Sequence, residues 1–415
     1  MPVWDGELYL EYHRGTYTSQ AEIKRANRKA EVLYHTAEWL SALADVLSGE
    51  DRYPRDDLRE GWELILLNQF HDILPGSSIR QVYEDSRADY DRINRIGQAA
   101  AAQARERVIE NIRLDQDSVV VFNPLSWPRD ELVALPWSLS WDSGTLLNPD
   151  GTTCPAQIVE EDGERKFLVE VQQVPSLGYR AYPLVGGETG RIATENEISV
   201  SPTHLENRYY RIELNERGQI TALFDKRHKR QVLEPGAAGN VLQAFEDKPM
   251  DFDAWDIDIY YREKMRPVDQ LVEATVEENR PLRGVLRLVW RFLDSQIVQR
   301  LTIYRSSPRI DFKTEANWQE KQILLKAAFP VAIRATRATY EIQFGNVERP
   351  THLQPAAPRR GLARKCGHAR GLRPELSTGG RPGSPKRQRR PPGKLQLRPA
   401  GQRSRHPGDG EESRG

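Results

Sequence analysis

A histidine and an aspartate stand side by side where an apolar helical segment meets a Pro-Gly break. They occupy positions 71 and 72 of the run NQFHDILPGS at residues 68–77. A neutral imidazole is a good zinc ligand, and a histidine fixed at a helix end presents its nitrogen in a defined direction. Two or three further ligands must converge on the same ion, and the local sequence names none of them. On spacing alone, the favoured interpretation of His71 is structural, as a partner of the helix dipole.

Helices on either side of this pair are needed to position it. A first helix is expected after the capping-box pattern of Ser19 and Glu22, because small and apolar residues then recur at steps of three and four from Ala26 to Ala44. A third helix is expected from the capping pattern at residues 78–81 as far as Val108. Long helices joined by loops predict an antiparallel bundle.

The second helix leads directly into the histidine. It is expected to run from about Leu58 to Phe70, with Trp62, Leu66 and Phe70 on one face. We expect it to end at His71, because the Pro-Gly pair that follows stops a helix.

After Asp117 the pattern changes to that of short strands bounded by turn residues. A hairpin is expected where two alternating segments flank the turn at residues 215–218. Strands are expected at residues 119–122, 167–171, 209–214, 220–224, 284–293, 297–304 and 338–344. The sequence therefore predicts an α+β multidomain fold, a three-helix bundle followed by a large antiparallel β-sandwich.

Composition limits the classes of protein to which the chain can belong. With 415 residues, 38% apolar and 8% aromatic, it has the composition of a soluble globular protein of two or three domains. No apolar stretch approaches the roughly 18 residues of a membrane helix, and the first residues show no secretory signal. A cytoplasmic location is therefore expected. Cys154 and Cys366 lie far apart, which argues against a disulfide framework and a thiolate metal site.

Charge divides the chain near Pro350. Residues 351–415 hold 13 Arg and 3 Lys against 3 Glu and 1 Asp, a net of +12, so the first 350 residues carry −12. This Arg/Pro/Gly-rich tail has no Phe, Trp, Tyr, Ile, Val or Met, and it is expected to be disordered. Its basic cluster at 381–390 lacks interleaved aromatics, so it would bind a polyanion only nonspecifically. No specific nucleic acid and no membrane is expected as a partner.

The motifs taken together resemble the α-mannosidases of glycoside hydrolase family 38, in the cytosolic or vacuolar-type branch. The resemblance extends from residue 4 to about residue 352. It is carried by GELYLEYHRGTYTS at 6–19, NQFHDILPGS at 68–77, FNPLSW at 122–127, VPSLGY at 174–179, FEDKP at 245–249, DAWDID at 253–258, NWQE at 317–320, YEIQFG at 340–345 and ERPTH at 348–352.

The resemblance implies a zinc-dependent retaining exo-α-mannosidase that acts on α-mannosides and oligomannose glycans in mannose catabolism. In this family the histidine of the motif is one of four zinc ligands, which carries over to His71, while Asp72 contacts metal-bound sugar hydroxyls. The other ligands and the nucleophilic aspartate belong to an amino-terminal α/β domain that has no counterpart here. We therefore expect a fragment that is inactive alone. Family members are often multimeric, so a homo-oligomer of the full-length enzyme is also an expectation.

Within the resemblance, residues 1–18 correspond to the end of the missing catalytic barrel. Residues 19–112 correspond to the three-helix middle domain and 117–350 to a truncated β-sandwich of galactose-mutarotase-like type. Residues 351–415 depart from the family pattern, as a frameshift or a wrongly joined gene model would produce.

Three residues, Asp5, Glu7 and Glu11, are candidates for the acid/base carboxylate. They lie where the barrel would be followed by the helical bundle. A plainer interpretation is that Glu7 and Glu11 point outward on a short strand. Arg14 and Tyr17 are candidates for donating hydrogen bonds to sugar hydroxyls, although an arginine paired with one of these glutamates would give the same pattern.

Two questions stay open at this point. The acidic-aromatic run at residues 251–261 either contributes to the rim of a sugar site or forms a solvated loop with Trp255 anchored in the sandwich. The chain as a whole is either part of an enzyme or, alternatively, a non-catalytic carbohydrate-binding or assembly module. A third and weaker alternative is a nonspecific polyanion binder acting through the tail.

Overall fold

The computed structural model describes residues 13–136, 144–161, 163–186, 197–342 and 345–351. These residues form two compact units. The first contains three helices, six strands and a carboxyl-terminal hairpin, and the second is all-β. Asp5, Glu7, Glu11 and the tail beyond residue 351 lie outside the described residues.

The predicted three helices are present as α1 (Ala21–Ser48), α2 (Arg55–Asn68) and α3 (Arg80–Glu110). The recurrence of small residues along α1 and α3 allows these two helices to approach closely, because alanine and glycine leave room for the facing side chains. The buried core of the bundle consists of Ile23, Ala30, Tyr34, Ala37, Leu40, Ala44, Leu58, Ile65, Tyr83, Tyr90, Ile93, Ala100, Ala101, Ala104 and Val108.

The starts of α1 and α3 differ from the predicted capping boxes. Gln20 and Ile79 occupy the N-cap positions, and neither makes a side-chain capping hydrogen bond. Ser19 instead directs its hydroxyl toward the carbonyls of Gly15 and Ala254, each 3.0 Å away. Ser78 donates its hydroxyl to the carbonyl of Asp72 at 2.6 Å. Both serines are thus used for loop contacts rather than for helix capping.

The face shared by Trp62, Leu66 and Phe70 is not the most buried face of α2. Leu66 and Phe70 are 60% and 54% exposed, whereas Leu58 and Ile65 are buried. The buried residues lie seven positions apart and so share one face of a helix, while Leu66 lies about 100° around the helix from Ile65. The helix also ends at Asn68 rather than at His71.

A glycine in α2 is required by the ring of a buried tyrosine. A Cβ built on Gly61 would overlap Tyr34, which is fully buried and donates its hydroxyl to the carbonyl of Ile93 at 3.0 Å. We expect Gly61→Ala to destabilise the bundle by about 1–3 kcal/mol, although alanine normally favours a helix. Thermal unfolding followed by circular dichroism checks this. Gly186→Ala, at a site with open space, should be nearly neutral, and an equal melting temperature for both variants would contradict the packing argument.

The β part is built from short antiparallel strands, as predicted. In the first unit the described strands are β1 (Ser118–Asn123), β2 (Arg129–Pro136), β3 (Gly144–Leu146), β4 (Ala156–Glu161), β5 (Glu164–Val174), β6 (Gly178–Gly186), β19 (Arg337–Ile342) and β20 (Gly345–Pro350). They form sheets in the orders β1-β6-β3, β2-β5-β4 and β19-β20.

The second unit continues the same architecture. Its described strands are β7 (Ser199–Ser201), β8 (His204–Glu206), β9 (Tyr210–Leu214), β10 (Ile220–Asp225), β11 (Arg230–Gln231), β12 (Val241–Glu246), β13 (Met265–Pro267), β14 (Gln270–Asn279), β15 (Arg283–Phe292), β16 (Ser295–Tyr304), β17 (Ile310–Asn317) and β18 (Ile323–Ala328). The sheet orders are β11-β10-β9-β8-β7, β14-β15-β16-β17 and β13-β12-β18. The hairpin predicted at 209–224 is present as β9-β10.

The predicted fold class, three helices followed by antiparallel β-structure, is confirmed, and the β part consists of several sheets. None of the described helices has the length and apolar character needed to cross a membrane. Cys154 is buried in the first unit, and burial raises the pKa of its thiol to about 12, so it is held as an unreactive thiol. Cys366 lies outside the described residues. The domain boundaries expected from the sequence remain a proposal.

Candidate functional site

The loop that joins α2 to α3 presents His71 and Asp72 to solvent. Their side chains are 73% and 48% exposed, and the His71 Nε2 atom lies 3.3 Å from an Asp72 carboxylate oxygen. The His71 ring also stacks at a tilt on the ring of Phe70, with centroids 4.3 Å apart. An imidazole and a carboxylate thus form a pair that is accessible to a ligand.

The backbone beneath this pair is held by α3. The carbonyl of Asp72 accepts the 2.6 Å hydrogen bond from Ser78, and the amide of Ser78 donates to the Tyr83 hydroxyl at 2.9 Å. Tyr83 is only 3% exposed and lies in the first turn of α3. The loop is therefore attached to the rigid core of the bundle immediately after the two candidate ligands.

A close approach between Gly76 and Ser19 fixes the other end of the loop. Gly76 has a φ of 91°, and a Cβ built there would lie 2.5 Å from the Ser19 carbonyl oxygen. Both the left-handed backbone and this contact require glycine. The Lys24 ammonium donates to the carbonyls of Ser19 at 2.5 Å and Leu74 at 2.7 Å, and so ties the same two segments together.

The stability that Lys24 contributes by joining these two segments should depend on pH. Burial lowers the pKa of Lys24 to about 8 from 10.5, so between these values the unfolded chain binds the proton more tightly than the folded one. The contribution of Lys24 to the free energy of unfolding should therefore increase as the pH rises from about 8 to 10.5. The difference in melting temperature between the parent and Lys24→Met should shift in favour of the parent from pH 7 to pH 10. The exposed Lys29→Met is the matched control, and parallel profiles for both variants would contradict this account.

A short 3-10 turn, Gly15–Tyr17, contains one of the predicted sugar-binding residues, Tyr17, and is preceded by the other, Arg14, as its N-cap. Arg14 is half-buried at its start, and the Tyr17 hydroxyl accepts a hydrogen bond from the Arg349 guanidinium at 3.5 Å. The contact to Ser19 brings this turn beside the loop of His71. The structure thus places the segments of Arg14, Tyr17 and His71 next to each other.

The acidic-aromatic run joins this group of segments. The amide of Gly15 donates to the carbonyl of Trp255 at 2.8 Å, and the His13 and Trp255 rings meet edge to face at 5.1 Å. Trp255 is therefore anchored on this turn and not in a β-sandwich core, whereas Asp251, Phe252 and Asp253 of the same run are exposed. This contact joins segments about 240 positions apart. No local pattern in the sequence predicts it.

His71 and Asp72 have the donor types of a zinc ligand pair. Their exposure fits one side of a metal site, since both oxygen and nitrogen donors are reachable. Within the residues that the structure describes, no group of three or more His, Cys, Asp or Glu side chains could hold a metal ion. The pair therefore fits as a contributor to a zinc site and does not complete one.

Two family models match the chain. The alpha mannosidase middle domain matches residues 11–108, and the glycosyl hydrolases family 38 C-terminal domain matches residues 205–364. The first match contains nearly all of the helical bundle and the His71 loop, and the second contains most of the all-β unit.

Curated relatives match nearly the whole chain. Alpha-mannosidase 2C1 of Homo sapiens is 34% identical over 361 residues, which are 84% of this chain and 32% of the relative. Alpha-mannosidase G of Dictyostelium discoideum is 30% identical, over 84% of this chain and 34% of the relative. The chain thus spans about a third of the length of these relatives. A crystal structure of an alpha-mannosidase from Enterococcus faecalis V583 has the same fold, with a TM-score of 0.66, 18% identity, and coverage of 83% of this chain and 46% of that one.

Proposed function

Because the chain belongs to family 38 of the glycosyl hydrolases, we propose that it forms the middle and C-terminal part of a zinc-dependent retaining exo-α-mannosidase. The observation that carries the proposal is the exposed His71–Asp72 pair on a loop held at both ends. The relatives that match this chain are named alpha-mannosidases, which supports terminal α-mannose of an oligosaccharide as the substrate.

In this proposal His71 offers an imidazole nitrogen to a zinc ion whose other ligands come from outside the described residues. Zinc supplies charge that binds and polarises sugar hydroxyls. The Asp72 carboxylate is acceptor-only when ionised, so it is suited to receive hydrogen bonds from two neighbouring hydroxyls of one sugar ring. Its fixed backbone would orient that ring without further ordering of the loop.

We propose that the turn with Arg14 and Tyr17 lines the same sugar site. The guanidinium of Arg14 and the hydroxyl of Tyr17 are the kinds of donor that sugar hydroxyls accept. Asp5, Glu7 and Glu11 immediately precede this turn and remain the proposed sources of the acid/base carboxylate. We also propose that the full-length enzyme is cytoplasmic and forms a homo-oligomer.

The nucleophile has no proposed position among the described residues, so we expect no α-mannosidase activity from the 415-residue chain alone. The test compares hydrolysis of p-nitrophenyl α-mannoside by the purified chain, with zinc added, and by a joined protein. The joined protein is this chain fused to the part of human alpha-mannosidase 2C1 that it does not match. We expect turnover only from the joined protein. Zinc-dependent turnover by the chain alone would contradict the proposal.

A further inference from the structure

Two consecutive carboxamides at the end of α2 are bound to two different helices. The Asn68 side chain is buried and donates to an Asp89 carboxylate oxygen on α3 at 3.0 Å. The Gln69 side chain points to α1, where it donates to the Asn27 amide oxygen at 3.0 Å and to a Glu31 carboxylate oxygen at 3.3 Å. The last residues of α2 are therefore fixed from both sides of the bundle.

The α1 side of this arrangement is a buried and satisfied polar network. Glu31 is 5% exposed, and its carboxylate also accepts from Asn27 at 2.8 Å and from Arg28 at 3.2 Å. Tyr90 approaches the Asn27 amide oxygen at 3.4 Å. A buried carboxylate is costly unless hydrogen bonds compensate it, and here donors from Asn27, Arg28 and Gln69 do so.

The network contacts the C-terminal end of α2. It can therefore influence how the chain continues into the loop that carries His71. Gln69 is the C-cap of α2, and its backbone N–H donates to the carbonyls of Ile65 at 3.0 Å and Leu66 at 3.2 Å, after which the Phe70 N–H donates to Leu67 at 3.1 Å. The direction in which the chain leaves the helix is set at this residue. His71 follows two positions later, in a turn where the Phe70 carbonyl accepts from the backbone amides of Ile73 at 2.9 Å and Leu74 at 3.1 Å.

We propose that Gln69 is a positioning residue for His71, held by Asn27 and Glu31. The segment is held by the Gln69 side chain, by the backbone hydrogen bonds of Phe70 and by the Asp72 carbonyl, so His71 has one preferred presentation although its side chain is exposed. Loss of the Gln69 carboxamide would leave the bundle folded and let the helix end and the His71 ring adopt several orientations. This inference rests on the proposed function only for the identity of the ligand that His71 meets.

The experiment uses the full chain labelled at its eight histidines, with the His71 imidazole signals assigned through His71→Gln. Gln69→Leu removes the donor at similar size, and Gln69→Glu replaces it with a group that Glu31 repels. The matched control is Gln172→Leu, which removes another carboxamide donor to a glutamate, at 3.4 Å from Glu170 in β5. Nuclear magnetic resonance spectra without metal and a titration with zinc chloride are recorded for each variant.

We expect both Gln69 variants to shift or split the metal-free His71 signal, and to need at least threefold more zinc for the same perturbation. Gln172→Leu should match the parent in both measurements. A His71 signal that coincides with the parent in both Gln69 variants would overturn the inference, because the network would then only pack the helices. If instead the metal-free signals change but zinc perturbs His71 in no protein, the positioning role stands and the proposed zinc ligand fails.

Discussion

Replacing His71 with alanine should lower kcat/KM of the joined protein more than 100-fold at a fixed zinc concentration. Removing a partner that merely orients a metal ligand costs roughly 10–100-fold in affinity or activity, and removing the ligand itself should cost more. The side chain is 73% exposed, so its loss should leave the bundle folded. Hydrolysis of p-nitrophenyl α-mannoside measures this effect.

The control for this variant is another exposed histidine of the same unit. His35 lies on α1, with its Nε2 atom 3.4 Å from the carbonyl of Pro124, and His35→Ala should leave turnover within about twofold of the parent. A His71→Ala protein that retains more than a tenth of the parent activity at limiting zinc would show that the histidine is not a ligand.

Replacing Trp290 with alanine should destabilise the all-β unit by about 3–5 kcal/mol. Trp290 is 1% exposed on β15, and its indole N–H donates to the carbonyl of Arg217 at 2.9 Å. It also closes against Gly218, where a Cβ would lie 2.7 Å from the ring. Alanine would leave a large cavity and an unpaired carbonyl. Chemical denaturation followed by tryptophan fluorescence and circular dichroism measures the change.

Two further variants separate the contributions at this position. Trp290→Phe keeps most of the ring but loses the N–H donor, so we expect a smaller loss, of about 1–3 kcal/mol. Trp127→Ala makes the same truncation at a residue that is 36% exposed and should have little effect. Equal losses for the alanine variants at 127 and 290 would contradict the assignment of Trp290 to the core.

The order of secondary structure was predictable because its signals are local. Steps of three and four identified α1, and alternation around the turn at residues 215–218 identified the β9-β10 hairpin. The buried face of α2 was not predictable in this way. Leu66 and Phe70 are as apolar as Leu58 and Ile65, and only packing against α1 and α3 decides which of them are buried.

The candidate site was predictable only because short sequence motifs contain the residues with the relevant chemistry. His71 and Asp72 carry the relevant chemistry within two residues, whereas the parts that hold them are distant in sequence. Lys24 bridges two carbonyls 55 residues apart, at Ser19 and Leu74, and Trp255 contacts Gly15 from 240 residues away. Such contacts arise from the fold as a whole and have no periodic signature.

We propose above all that His71 binds the catalytic zinc ion of a family 38 enzyme. Anomalous diffraction at the zinc absorption edge from crystals of the joined protein tests it most directly, because it locates the metal independently of activity. We expect a zinc peak bonded to an imidazole nitrogen of His71, with Asp72 beside it. A fully occupied zinc peak whose ligands do not include His71 would contradict it.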